Sequence, residues 1–450
     1  MPFSDAESIL RALLAAHTPR AVQEVLQEIG DTSDIALDVP LAPFSFSWHA
    51  FGDNPSNISS IGLASKAGRS LTERLTNAVD ATLEERALSG VPLPDSPRVA
   101  AQQWFGRPVS GPETGLYKWE FGAQGLDRKA AVVLTESEVP AAPTIDVIDE
   151  GVGLAPDAFP STILSLQAGN KIRKRYLIGA FGQGGASTLA FSEYAIIVSR
   201  SVTNPRLVGF TVIRVVRLDA TYKEDCYAYL SQVDAAGNRV VPSCQVDGPL
   251  EIYPNATGMR VPQLQHGTIV RHVAFKLSGI DGQLGPSPGN LYHYLHASLF
   301  DPLLPFRVID LRSITRPKDE LVTGSRNRLM RLVEARTPTA SEEQDTGSKI
   351  RHYRAMEFVV PHGGQEPVIG IEYWVVFNFR KGRTEADPPV LRGESNELFV
   401  EKGFPIIGTL NGQNQGELRA KLVRDLGRIL QDSDTNCECI PRRGSGPQRP

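Results

Sequence analysis

"DEGVGL" at residues 149–154 and "IGAFGQGGAS" at residues 178–187 decide how this chain is read, because an acid and two glycine clusters fall close together. Glycine-rich loops cradle phosphates in several architectures, which differ in where the acid stands and in what flanks the loop. No G-x-x-x-x-G-K-[ST] occurs, so a P-loop is excluded. Gly182 and Gly184 do not follow a strand with a third glycine at dinucleotide-fold spacing. "GPSPG" at 285–289 fits G-x-S-x-G only on paper, since it has two prolines and no preceding strand.

Outward from the first cluster, the β-branched run "TIDVID" predicts a strand ending at Asp149, with Gly151 and Gly153 just beyond. A carboxylate there repels phosphate, but it accepts a hydrogen bond from an amino group such as the exocyclic amine of adenine. The alternative is an acidic turn. Gly179, Gly182, Gly184 and Gly185 precede a predicted helix near Ala186, and backbone N–H groups at such a loop form an anion site. "KIRKR" at 171–175 adds positive charge upstream, as phosphate attraction, a solvated basic patch or a nucleic-acid contact.

Before both clusters stands "SLTERLTNAVDATLEE" at 70–85. At the helical period, Glu73, Asn77, Asp80 and Glu84 form one polar stripe, opposite Leu71, Leu75, Ala78 and Val79. Such a stripe is ordinarily a solvated face. Ser70 with Glu73 also fits a capping box, which would tie the glutamate to backbone N–H. Asn77 in mid-helix needs some other reason, given its poor helical propensity.

"KAAVVLT", "EYAIIVSR", "LVGFTVIRVVR" and "GTIVRHVAF" predict further strands and "GGASTLAFS" a helix, with one layer of helices on a mixed sheet. At the N-terminus, Ser4 and Glu7 fit a capping box for an amphipathic helix, followed by a second helix in "PRAVQEVLQEIG". Residues 31–60 look loop-like, and the Pro/Gly-rich stretch 90–115 reads as an inserted loop. A boundary is expected near 280–290, followed by the helix-like "LYHYLHASLF". Strand-like "FRVIDLRS", "HYRAMEFVVP", "IGIEYWVVFNF" and "GFPIIGTL" come next, then the helical "QGELRAKLVRDLGRILQD".

A chain of 450 residues exceeds one core, since single cores stop growing near roughly 250–300 residues, so two domains are expected. Forty-seven basic against 51 acidic residues leave a net charge of -4, which exerts no global pull toward nucleic acid or anionic membrane. Cysteines 226, 244, 437 and 439 make no disulfide framework and suit the reducing cytoplasm. Cys437 and Cys439 lack a second pair at zinc spacing, and His293 and His296 lack nearby acidic or cysteine partners. Neither a signal peptide nor a run of about 18 apolar residues is found, so no membrane span is predicted.

As a set, the motifs resemble the GHKL ATPases: gyrase B subunits, ninety-kilodalton heat-shock chaperones, sensor histidine kinases, MutL and Microrchidia proteins. "ERLTNAVDA" is similar to the asparagine box, "DEGVG" to the first glycine box, "IGAFGQGGAS" to the second and "HGT" at 266–268 to the closing Gly-Thr motif. The second box is closest to the chaperone and Microrchidia version. The resemblance implies an α/β (α+β) two-layer sandwich, the Bergerat ATP-binding fold, over residues 55–285 with an insert at about 90–128. A helical extension (1–54) would precede it; a transducer-like α/β domain (286–432) and a disordered tail (433–450) would follow.

The resemblance also implies roles. Asn77 would coordinate Mg²⁺, Glu73 would act as general base toward water, and Asp149 would bind the adenine amine with support from Thr268. Gly151 and Gly153 would let the backbone approach the nucleotide. Gly179, Gly182, Gln183, Gly184 and Gly185, with Lys171, would wrap the phosphates in a mobile lid. Asp80 would brace its helix. A second-domain side chain, Gln413 or Lys421, would reach the transferred phosphoryl group. The glutamate favours hydrolysis over histidine phosphorylation, and His17 lies in only a short helix. ATP would close the lid and drive homodimerisation, with a protein or DNA client in a DNA-processing or defence system. The alternatives are a nucleotide-gated scaffold without catalysis and a heat-shock-type chaperone.

Overall fold

Short Val-, Ile- and Ala-rich runs pair side by side into a mixed sheet, and amphipathic helices cover it. The computed structural model describes residues 3–31, 36–62, 66–108, 119, 125–126, 129–139, 141–166, 174–179, 186–217, 225–253, 263–282, 284, 290–296, 298–299, 302–313, 318–324 and 327, and the backbone of 297, 350–362 and 365–378. The first elements are helices α1 (Ala6–Ala15) and α2 (Pro19–Glu28), strand β1 (Ser47–Ala50), and helices α3 (Ile58–Gly62), α4 (Ala67–Ala87) and α5 (Pro97–Phe105). Strands β2 (Ala130–Thr135) and β3 (Thr144–Asp149) follow, then a 3-10 helix (Ala186–Phe191) and strands β4 (Tyr194–Arg200), β5 (Leu207–Val216) and β6 (Cys226–Val233). The short β7 (Arg239–Val240) and β8 (Ser243–Gln245), β9 (Gly267–Val273), helix α6 (Leu291–Ser298), and β10 (Phe306–Asp310) and β11 (Lys318–Val322) come next. Last is the hairpin of β12 (Ile350–His362) and β13 (Gln365–Asn378).

The main sheet runs β1-β6-β5-β4-β9-β3-β2-β10-β11, with β7 beside β6 and β8 beside β5. Only β2 and β10 run parallel along this path. Alternation splits the side chains between two faces. Ala131, Val133 and Ile148 pack with α1 and α2, whereas Val132, Leu134, Ile145 and Val147 pack with α4 and α6. The expected two layers are therefore three in this region, because the N-terminal helices bury apolar stripes of their own.

The N-terminal segment is thus part of the core rather than an extension: Ile9, Leu10, Leu13, Val22 and Leu26 are buried, and β1 pairs with β6. The capping box of α1 forms between Asp5 and Ser8, one place beyond the expected Ser4 and Glu7, and Glu7 pairs with Arg11 instead. At the other end of α1, the Arg271 guanidinium donates to the carbonyls of Leu13, Leu14 and Ala16. Its other nitrogens hold Asp146 at 2.8 Å, and the Tyr253 hydroxyl donates to the same carboxylate. His17 lies beyond α1, hydrogen-bonded to Thr135 and stacked on Tyr253.

Inside the expected loop of 90–115 stands α5, capped by Ser96, begun by Pro97 and stopped by Gly106 in the left-handed region. The sheet and core also continue past residue 285, where the sequence places a boundary: β10 joins β2, and α6 packs in one cluster with α4. The predicted strand at "GFPIIGTL", the helix after it and the tail lie outside the described residues. No helix among the described residues is long and apolar enough to cross a membrane.

Candidate functional site

The first glycine cluster is pressed between α4 and β4. The Val152 amide donates to the Ala81 carbonyl of α4 at 3.0 Å, and a Cβ on Gly151 would lie 2.5 Å from that peptide's carbon. Gly153 has φ +62°, and a Cβ there would sit 1.8 Å from the Arg200 carbonyl oxygen, so only glycine fits.

Asp149, 8 % exposed, ends β3 and accepts the Gly151 N–H at 2.9 Å, which folds the turn back on the carboxylate. It stands in register with Thr268 of β9, itself 7 % exposed. Gly267 (φ +107°) lets the two strands close here, since a Cβ would meet the Asp149 carbonyl oxygen at 2.0 Å. The predicted acid and the predicted threonine are thereby brought together.

Glu73, Asn77 and Ala81 lie one turn apart on α4, each step about 6 Å along the axis. Glu73 therefore stands about 12 Å along the helix axis from the level of the Asp149 loop. The capping box expected between Ser70 and Glu73 is absent: α4 begins at Ala67, and the Ser70 hydroxyl donates to the Lys66 carbonyl. Glu73, 38 % exposed, instead meets Arg69 Nε at 3.3 Å and the Ser187 hydroxyl at 3.5 Å. Asn77 is half-buried on the same helix.

Asp80 does more than brace its own helix. Fully buried, it accepts the backbone N–H groups of Ile178 at 2.7 Å and Gly179 at 3.0 Å, so it fixes the start of the second glycine cluster. Lys174 pairs with Glu84, and Tyr176 packs edge-on against Trp104 of α5. Lys171, Gly182, Gln183, Gly184, Gly185, Gln413 and Lys421 lie outside the described residues.

Three residues of this region escaped the sequence reading. His266 donates from Nδ1 to the Gly151 carbonyl at 2.8 Å, and its Nε2 lies 3.7 Å from Glu85. Buried Arg74 donates to the Thr188 hydroxyl at 3.1 Å, and burial lowers its guanidinium to about 10 against the opposing pull of Glu73. Ser199 bonds Thr268. The available signals were a histidine directly before the Gly-Thr pair, a charge inside the apolar face of α4, and a serine inside "YAIIVSR".

Chemically, Asp149 and Thr268 stand side by side as a pair suited to a donor-bearing ligand edge, and three glycines let the surrounding backbone close in on them. No group of three or more His, Cys, Asp or Glu able to hold a metal occurs among the described residues. The Asn77 amide oxygen suits Mg²⁺ only in company with phosphate and water oxygens, as this ion ordinarily binds. His296 is buried edge-on to Tyr292, an interior position. No protein-family model matches this chain, and no curated protein matches it.

Proposed function

We propose that this chain is a GHKL-type, Mg²⁺-dependent ATPase built on the Bergerat fold. The observation that carries the reading is the register of Asp149 with Thr268 at one end of a helix whose next turns bear Asn77 and Glu73. Asp149 accepts the adenine amine, and Thr268 supports that contact from the neighbouring strand. The Asn77 amide oxygen would help hold Mg²⁺, which would supply charge neutralisation for the phosphoryl transfer. Glu73 orients the attacking water and takes its proton. The second glycine cluster wraps the phosphates, starting from the segment that Asp80 anchors.

The switch is ATP-dependent: lid closure and association of two subunits follow binding, and hydrolysis releases them. Gln413, as a hydrogen-bond donor, or Lys421, as a cation, completes the contacts around the phosphoryl group. The protein works in the cytoplasm on a protein or DNA client. The test is ATP turnover with and without Mg²⁺, run beside ATP binding, for wild type and Glu73→Ala. Expected is Mg²⁺-dependent turnover in wild type, and binding with turnover reduced at least a hundredfold in the variant, the size of a general-base contribution. Equal turnover by both proteins removes Glu73 from the mechanism, and binding without turnover in either leaves a nucleotide-gated scaffold.

A further inference from the structure

Ser199 is fully buried on β4, directly across from Thr268 on β9. Its hydroxyl lies 2.9 Å from the Gly267 carbonyl oxygen, 2.9 Å from the Thr268 hydroxyl and 2.8 Å from the Leu154 amide nitrogen. A serine hydroxyl has one proton and two lone pairs. The Gly267 carbonyl can only accept, so it takes the proton. The Leu154 N–H can only donate, so it fills one lone pair. The remaining lone pair receives the proton of Thr268.

This count fixes a neighbouring hydroxyl. With its own proton committed to Ser199, Thr268 offers the site lone pairs only. Asp149, in register beside it, is a carboxylate and also offers lone pairs only. We infer that Ser199 is a specificity-determining positioning residue, which makes the floor of the site an acceptor-only surface and so selects a 6-aminopurine nucleotide over a 6-oxopurine one. The inference rests on the nucleotide reading of the site. An amine at C6 donates to such a floor, whereas a C6 carbonyl sets its lone pairs against those of Asp149 and Thr268. A buried polar mismatch of this kind discriminates far more sharply than a missing methylene.

The experiment is calorimetric titration of the full chain with ATP and with inosine triphosphate, for wild type and Ser199→Ala. Wild type is expected to prefer ATP at least tenfold. In Ser199→Ala the Thr268 hydroxyl turns freely and donates to a carbonyl, so the preference shrinks about tenfold. A merely structural role would weaken both nucleotides equally, and an unchanged ratio overturns the inference. Should Ser199→Ala fail to fold, Thr268→Val, which keeps the shape and removes the hydroxyl, carries the same expected loss of preference. Wild type that binds ATP with no preference also sinks the inference while the nucleotide reading stands. Wild type that binds neither nucleotide overturns the nucleotide reading itself.

Discussion

At the scale of single residues, Asp149 separates structure from recognition. Asparagine keeps an oxygen for the Gly151 N–H but places an amide donor where the carboxylate offered a second acceptor. Asp149→Asn is therefore expected to unfold within about 1 kcal/mol of wild type, yet to lose ATP binding by a hundredfold or more, read by denaturant titration and calorimetry. His17 gives a pH signature. Burial, and then the positive charge of Arg271, lower its imidazole from 6.5 to about 4. Between those values the unfolded chain binds a proton that the folded chain refuses, so stability is full above pH 6.5 and falls as pH drops toward 4. His272, lowered to about 3 by burial and by Arg74, carries the same trend further. His17→Asn should flatten the slope by close to one proton in urea unfolding at pH 7, 6 and 5, and an unchanged slope would clear His17 of the effect. What could be foreseen at this scale follows the same division. Asp149, Gly151 and Gly153 stood out because an acid and glycines at a strand end are conspicuous in one dimension. Ser199 and His266 did not, because their meaning lies in partners 69 and 115 residues away.

At the scale of elements, the described start of the second glycine cluster, Gly179, is held by a buried anchor. Asp80 takes two backbone donors of the 178–179 segment, while Tyr176 and Leu177 sit in an apolar cluster with Ala100 and Ala101 of α5. The inserted stretch thus supports the segment that leads to Gly179. Asp80→Ala leaves two N–H groups without their acceptor, each worth roughly 1–3 kcal/mol, so a loss of about 2–6 kcal/mol is expected. Hydrogen exchange at Ile178 and Gly179 should accelerate far more than at β3, and equal protection in both places would show that the segment is held by other means. The long strands β2 to β5 and β9 were legible from β-branched runs, since a strand buried on both faces is almost continuously apolar. Helix α5 is hidden in the sequence although Ser96-Pro97 and Gly106 mark its ends, because proline and glycine density is also the composition of a loop. Strand β1, four residues long, is too short to show a period, and β6 with its "CYAYLSQV" exists by pairing with β1 and β5.

At the scale of the whole molecule, the sheet shows where an autonomous unit can end. A boundary at residue 285 was read from Gly, Pro and Asn in "GIDGQLGPSPGN", a local signal that carries no information about which strand later joins β2. In the structure β10 lies parallel to β2 with Val308 opposite Val132, and β11 closes the edge. Leu291, Leu295, Phe306 and Val308 are each at most 1 % exposed and share a cluster with Leu71 and Leu75 of α4. Burying four such side chains contributes roughly 6–12 kcal/mol, at about 1.5–3 kcal/mol each. That is comparable to the entire stability of an ordinary domain, roughly 5–15 kcal/mol. A fragment of residues 1–285 would also present the β2 edge, whose "AAVVLT" is a ready template for pairing with another chain. Such a fragment is expected to aggregate or to show no cooperative unfolding, whereas a fragment of residues 1–327 keeps β10, β11 and α6 and should melt cooperatively as a monomer. Circular dichroism melting with light scattering on the two fragments decides the matter. If the shorter fragment folds as a stable monomer, the apolar contacts across β2 and α4 contribute far less than their burial implies, and residue 285 regains its place as the boundary.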